Sequence, residues 1–322
     1  MRNVFWNGEE KRPRAGWRVT AQLTAMFVFL YLAQLGLDKL LGSLIPNPRG
    51  ASTATLELAG SAVQLVAQLA MAASVLLVGG FLDKRRIRDF GFRFSGAWWA
   101  DLGFGLALGA CLMGGIFLVE WAAGWVRVTG TFVTREGSLA FWPGILVPLV
   151  GYLFVGVAEE LWSRGYLLTN LAEGLNGPRL SQTAAVVIAT IVQGAVFALM
   201  HATNPNASIV STFNLFLVAF LLALGFVLTG ELAISIGLHI TWNFFQGNVF
   251  GFPVSGSGYT VGTFIGTEQA GPALWTGGRF GPEAGLVGIG ALLVGTGLIV
   301  LWVRWRCGGV AVDRRIAEWT RR

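Results

Sequence analysis

The sequence predicts an all-α membrane protein of about eight transmembrane helices enclosing a polar cavity, and three observations carry that prediction. Hydrophobic residues make up 54% of the 322 positions and charged residues 12%, with a mean hydropathy of +0.63, well outside the range of an ordinary soluble domain. Apolar windows of about 20 residues, the length that crosses a bilayer, recur along the chain. The only two histidines, His201 and His239, fall inside such windows, as do Glu159 and Glu160 with Arg164 one turn later. Ionisable groups are expensive within a bilayer and face a cavity or a partner there.

Taken in order, the windows run over residues 17–42, 60–82, 98–122, 142–171, 180–203, 207–229, 231–249 and 284–305. The first follows Arg2, Lys11, Arg12, Arg14 and Arg18. It is too long for a signal-peptide core and no small-residue cleavage site follows it, so it is expected to stay as an anchor. The fourth is longer than a bilayer requires. An even number of spans with a cytoplasmic N-terminus returns the C-terminus to the cytoplasm. That orientation leaves only Lys39, Arg49, Arg127, Arg135 and Arg279 outside, of 23 Lys and Arg in all, as the positive-inside rule demands. The net charge of +6 is thus explained by topology and anionic membrane lipid, and no nucleic-acid partner is implied.

A single polytopic membrane domain, 1–322, accounts for the whole chain. Its core, the stretch that holds both histidines and the Glu159–Glu160 pair, is expected at about 142–249, with a Gly-rich connector over 251–285 and short basic cytosolic termini at 1–16 and 306–322. The connector reads either as a lid or gate or as an external linker. The tail from Val310 onward reads as a basic surface helix. Cys111 and Cys307 fall at different predicted depths, so neither a disulfide nor a CxxC metal site is expected. No internal repeat of the transporter kind is evident.

The polar residues form three groups. In the fourth span, AEELWSRGYLL, Glu160 and Arg164 stack on one helix face at ion-pairing distance, while Glu159 points about 100° away. A carboxylate left unpaired in a low-dielectric cavity is a general base in outline; the alternative is a solvated acid pair at the helix end. The fifth span ends in FALMHATNPN, with Phe197 one turn before His201 and Pro205 breaking the helix. His201 is either a ligand or a structural hydrogen-bonder. The seventh contains GLHITWNFF, where His239 and Asn243 share a face at i, i+4. They can bind a metal, hold an oxyanion or a water, or glue two spans together. Two histidines plus carboxylates meet the ligand count of a catalytic zinc site, yet HExxH, HxxEH and GxSxG are all absent.

These residues, in this order, resemble the CPBP intramembrane protease family, also called the Abi or CAAX-protease family. Its EExxxR, FxxxH and HxxxN motifs are met by Glu159, Glu160 and Arg164, by Phe197 and His201, and by His239 and Asn243. The resemblance implies endoproteolysis of a membrane-associated protein or peptide. Glu159 would activate the water, Glu160 would assist or pair Arg164, and His201 would orient the water or ligate a metal. His239 and Asn243 would bind the metal or stabilise the oxyanion, with Arg164 and Phe197 holding the geometry. It implies either one divalent metal, zinc first, on His201, His239 and Glu160, or a metal-free glutamate mechanism. The short loops suggest a prokaryotic plasma membrane; oligomeric state and substrate stay open. A proton-coupled transporter or a non-catalytic scaffold or immunity protein could use the same residues.

One feature strains the predicted topology. At 1.5 Å per residue, His239 lies about 12 Å into its span from the cytosolic end and His201 about 30 Å into its own. Bringing them level calls for a fifth helix that begins below the membrane boundary, and for a turn from Ala202 to Asn206 recessed into the protein.

Overall fold

A computed structural model describes residues 4–257 and 261–319; Arg2, Arg321 and Arg322, part of the basic termini, lie outside the described residues. The chain opens with a small hairpin of β1 (Trp6–Asn7) and β2 (Arg12–Pro13) and continues through α1 (Ala15–Leu44), α2 (Thr53–Phe81), α3 (Gly96–Ala122) and β3 (Val126–Thr134). The fourth span combines α4 (Phe141–Glu160), a π-helical stretch over Leu161–Leu168 and α5 (Thr169–Leu175). Then come α6 (Gln182–Met200), α7 (Ile209–Thr229) and α8 (Ala233–Phe244), the last continued by a second π-helical stretch, Phe245–Val249. β4 (Gly262–Gln269), α9 (Ala273–Thr276) and α10 (Leu286–Cys307) complete the order. Serine side chains at positions 52, 95, 181 and 208 cap α2, α3, α6 and α7, each accepting a first-turn N–H.

Seven of these helices, counting the fourth span as one of 35 residues, are long and apolar enough to cross a membrane. The segment expected as an eighth span, 231–249, has a different character. Its helix α8 has 12 residues, about 18 Å, and all of them from Ala233 to Ile240 are buried. It is held in the middle of the bundle by backbone contact with α3. A Cβ on Gly105 would come within 2.4 Å of the Ile234 carbonyl oxygen, one on Gly109 within 2.6 Å of that of Leu238, and one on Gly237 within 2.4 Å of that of Leu102. Small residues that let helix backbones approach are the usual device of membrane helix packing.

The all-α expectation needs one amendment. β3 and β4 pair antiparallel from Val126↔Gln269 to Thr134↔Gly262, with an irregularity between Val128 and Gly130. VRVTGTFVT and GTFIGTEQ are rich in β-branched residues, which suit a pleated ribbon lying outside the apolar helices. The connector over 251–285 therefore folds back onto the protein. The tail departs from the surface-helix expectation too: only Arg314–Ala317 form a 3₁₀ turn, and Ile316 and Ala317 are buried, because these two apolar residues dock on the bundle rather than on lipid. Cys111 and Cys307 are both free and exposed.

The first and last described segments meet at one end of the bundle. The Arg12 guanidinium lies 4.4 Å over the Trp319 ring, and Trp319 Nε1 donates to the Asp83 carbonyl at 3.1 Å. Beneath them Glu173 gathers Arg12 at 2.9 Å, Arg18 at 3.1 Å and Arg85 at 2.5 Å, while Arg18 also holds Asp83 at 2.7 Å. Asn176 Nδ2 donates to the Ala317 carbonyl at 2.9 Å. Inward of this network a layer of fully buried side chains, Phe90, Trp162, Tyr166, Leu168 and Leu232, closes that end of the molecule.

Candidate active site

The last two residues of α4 face different ways, as consecutive helix positions must. Pro148, Tyr152, Val155 and Glu159, spaced four, three and four apart, make one stripe along the wall of a cavity of about 510 Å³. Glu160, one position on, turns inward and is fully buried. Its Oε1 accepts from Arg164 Nη1 at 2.9 Å and lies 2.8 Å from His239 Nδ1. Arg164, fully buried, also donates from Nη2 to the Ala219 carbonyl at 3.0 Å and sits 4.9 Å over the Phe197 ring. Glu160 and Arg164 are thus cross-linked behind the cavity, and Phe197 packs on Arg164 from the cavity wall.

The π-helical stretch that carries Arg164 is accommodated by side chains. Thr169 Oγ1 donates to the Arg164 carbonyl at 3.1 Å and Asn170 Nδ2 to that of Tyr166 at 3.0 Å. Wide turns of this kind are frequent beside functional sites. The stretch after α8 behaves likewise, with Gln246 Nε2 donating to the Pro253 carbonyl at 2.6 Å and Asn248 Nδ2 to the Gly262 carbonyl at 2.7 Å.

Hydrogen bonds assign the imidazole protons. A carboxylate only accepts, so His239 Nδ1 donates to Glu160 and its Nε2 faces the cavity, 3.9 Å from Glu159 Oε2. That gap is too long for a direct bond and suits one bridging water. His201, the residue that ends α6, has Nδ1 at 2.8 Å from the Phe197 carbonyl. A carbonyl also only accepts, so its Nε2 is the free nitrogen. The rings of Phe197 and His201 lie 4.7 Å apart, and those of Phe197 and His239 lie 6.5 Å apart. Asn243 lines the cavity one turn beyond His239.

Glu159, Phe197, His201, His239 and Asn243 therefore share one cavity, and Glu160 and Arg164 stand behind it. The ligand set His201, His239 and Glu160 is not assembled: among the described residues no three His, Cys, Asp or Glu side chains form a metal-holding group. Glu160 Oε1 is engaged by Arg164 and by His239 Nδ1, while its buried Oε2 has no hydrogen-bond partner among the described residues.

The expected recess at Ala202–Asn206 is also corrected. Ala202, Thr203, Pro205 and Asn206 are exposed, and the turn is instead clasped from above by the connector. Asn204 Nδ2 donates to the Ser255 carbonyl at 2.9 Å and Asn206 Nδ2 to that of Gly256 at 3.1 Å. Gly256 has φ +83°, and a Cβ there would lie 1.8 Å from the Pro205 carbonyl oxygen. Loop carbonyls that accept from the turn's asparagine amides replace the burial that an uncharged turn suggested.

Sequence reasoning missed further cavity residues. Glu57, Ser61 and Gln64 line it from α2, and Gln68 Nε2 reaches Glu159 Oε1 at 3.4 Å. Their spacing of four, three and four in an otherwise apolar span was the available signal. Glu283 enters from the connector and accepts from the Ser255 N–H at 2.6 Å and from Gln246 Nε2; burial pushes its carboxyl up to about 7.

A search of curated proteins and of solved structures returned no match to the chain. A family model does match residues 140–245, a segment that opens at α4 and closes at the end of α8 and so contains all three motifs. By that match, residues 140–245 are similar to the Rce1-like, type II CAAX prenyl endopeptidase family.

Proposed function

We propose that this chain is an intramembrane endopeptidase that hydrolyses a peptide bond of a membrane-associated protein or peptide, using a water activated by Glu159. The observation that carries the reading is the 3.9 Å separation of Glu159 Oε2 and His239 Nε2 across a shared cavity, with the other face of the imidazole pinned by Glu160. Water held between them gives its proton to Glu159 and attacks the carbonyl carbon. The oxyanion then accepts from the Asn243 amide, and from His201 or His239 when that Nε2 carries a proton. Glu159 returns its proton to the departing amine, which completes hydrolysis with atoms balanced. A positioned general base typically supplies about 10²–10⁴-fold and an oxyanion donor about 10²–10³-fold.

Glu160, Arg164 and Phe197 position His239 and do not touch substrate in this scheme. No step in this scheme is routed through a metal. The packed layer of Phe90, Trp162 and Tyr166 beneath the cavity supports a hydrolase over a transporter, since alternating access needs a second exit. Eight crossings with both termini cytoplasmic, in a multi-pass plasma-membrane protein, complete the proposal: the termini share one end of the bundle, so the crossings are even in number, with α8 and its π-helical continuation as the short eighth. The test is cleavage of membrane-anchored peptides by purified protein. Glu159→Gln should lower the rate by roughly 10²–10⁴-fold, and a chelator should leave the wild-type rate unchanged.

A further inference from the structure

We infer that the substrate of this proposed peptidase site reaches Glu159 from the exoplasmic face, so that the scissile segment belongs to an exported polypeptide or to the outer flank of a membrane anchor. The inference rests on the proteolytic reading for its substrate and on geometry for its direction. The cavity runs from the first half of α2, the end of α6 and the connector, at the end of the bundle away from Arg12 and Trp319, inward to Glu159 on α4, Leu222 on α7 and His239 on α8. It reaches the surface at Leu56, Gly60 and Gln64 on α2 and at Ser257 on the connector, all of which are exposed. The other end is sealed by the buried layer around Trp162 and Tyr166.

Charge then orients the two ends. Among the described residues the cavity end carries only Lys39, Arg49, Arg127, Arg135 and Arg279. Every other described Lys and Arg, apart from the buried Arg164, stands at or near the sealed end. Positive charge collects on the cytoplasmic side, so the sealed end is cytoplasmic and the cavity opens outward.

The test is labelling by a membrane-impermeant maleimide in a Cys111→Ser, Cys307→Ser background, comparing intact spheroplasts with lysed ones. Ser257→Cys and Thr203→Cys should label fully in intact spheroplasts, whereas Arg88→Cys and Arg314→Cys, at exposed positions of the sealed end, should label only after lysis. The reverse pattern would overturn the inference. Two positions on each face guard against one variant failing to fold. Labelling requires no substrate, so its outcome stands apart from whether the chain cleaves peptides.

Discussion

Glu159 and Glu160 are neighbours in sequence with opposite physical situations. Glu160 is buried against Arg164 and His239, and Glu159 is half-buried on the cavity wall. Removing one partner of a buried ion pair costs about 3–5 kcal/mol because the other charge is left uncompensated. Glu160→Gln should therefore lower thermal stability in detergent markedly, while Glu159→Gln should melt with wild type and still lose cleavage. Asn243→Ala should cut kcat by roughly 10²–10³-fold with KM little changed, the pattern of a contact made in the transition state. At this scale the sequence was informative: the i, i+4 spacing of Glu160 and Arg164 and the offset of Glu159 were both readable from helical geometry. The engagement of Glu160 by His239 was not, because it depends on how α4 and α8 pack.

At the scale of elements, α8 is the part least visible in advance. Its apolar run reads as a membrane span, yet it is a short, buried helix whose place is set by contact with α3. Gly105 and Gly109 form a small-xxx-small pair, and that spacing was the available signal. Gly237→Val would drive a branched side chain into the Leu102 carbonyl and move His239, two residues on; loss of both stability and cleavage is expected, measured by melting and by turnover. The connector could be read only as lid or linker, since its bonds to Asn204, Asn206 and Gln246 are all long-range. It has its own titratable latch in Glu283. A carboxyl raised from 4.5 to about 7 on folding stabilises the folded loop below pH 4.5, and that contribution is lost as pH rises through about 7. The hydrogen-exchange protection factor at residues 253–257, with the intrinsic base-catalysed rate divided out, should accordingly fall from pH 4.5 to above 7, and Glu283→Gln should flatten that fall.

For the molecule as a whole, composition and apolar windows fixed its class, since seven long helices overlap the expected spans, the largest offset being the start of α2 at Thr53 rather than residue 60. The β3–β4 ribbon was hidden because its alternating residues lie in polar connectors 136 residues apart, from Val126 to Gly262, and pairing at such separation leaves no local mark. The same holds for Glu173, whose three arginines come from the N-terminal segment, α1 and the α2–α3 loop. The central claim is hydrolysis by a Glu159-activated water within this bundle. The most direct measurement is cleavage of a membrane-anchored peptide library by wild type, Glu159→Gln and His239→Ala, each with and without chelator. The account predicts cleavage by wild type alone, unaffected by chelator. Cleavage that survives in Glu159→Gln, or that chelator abolishes in wild type, would contradict it.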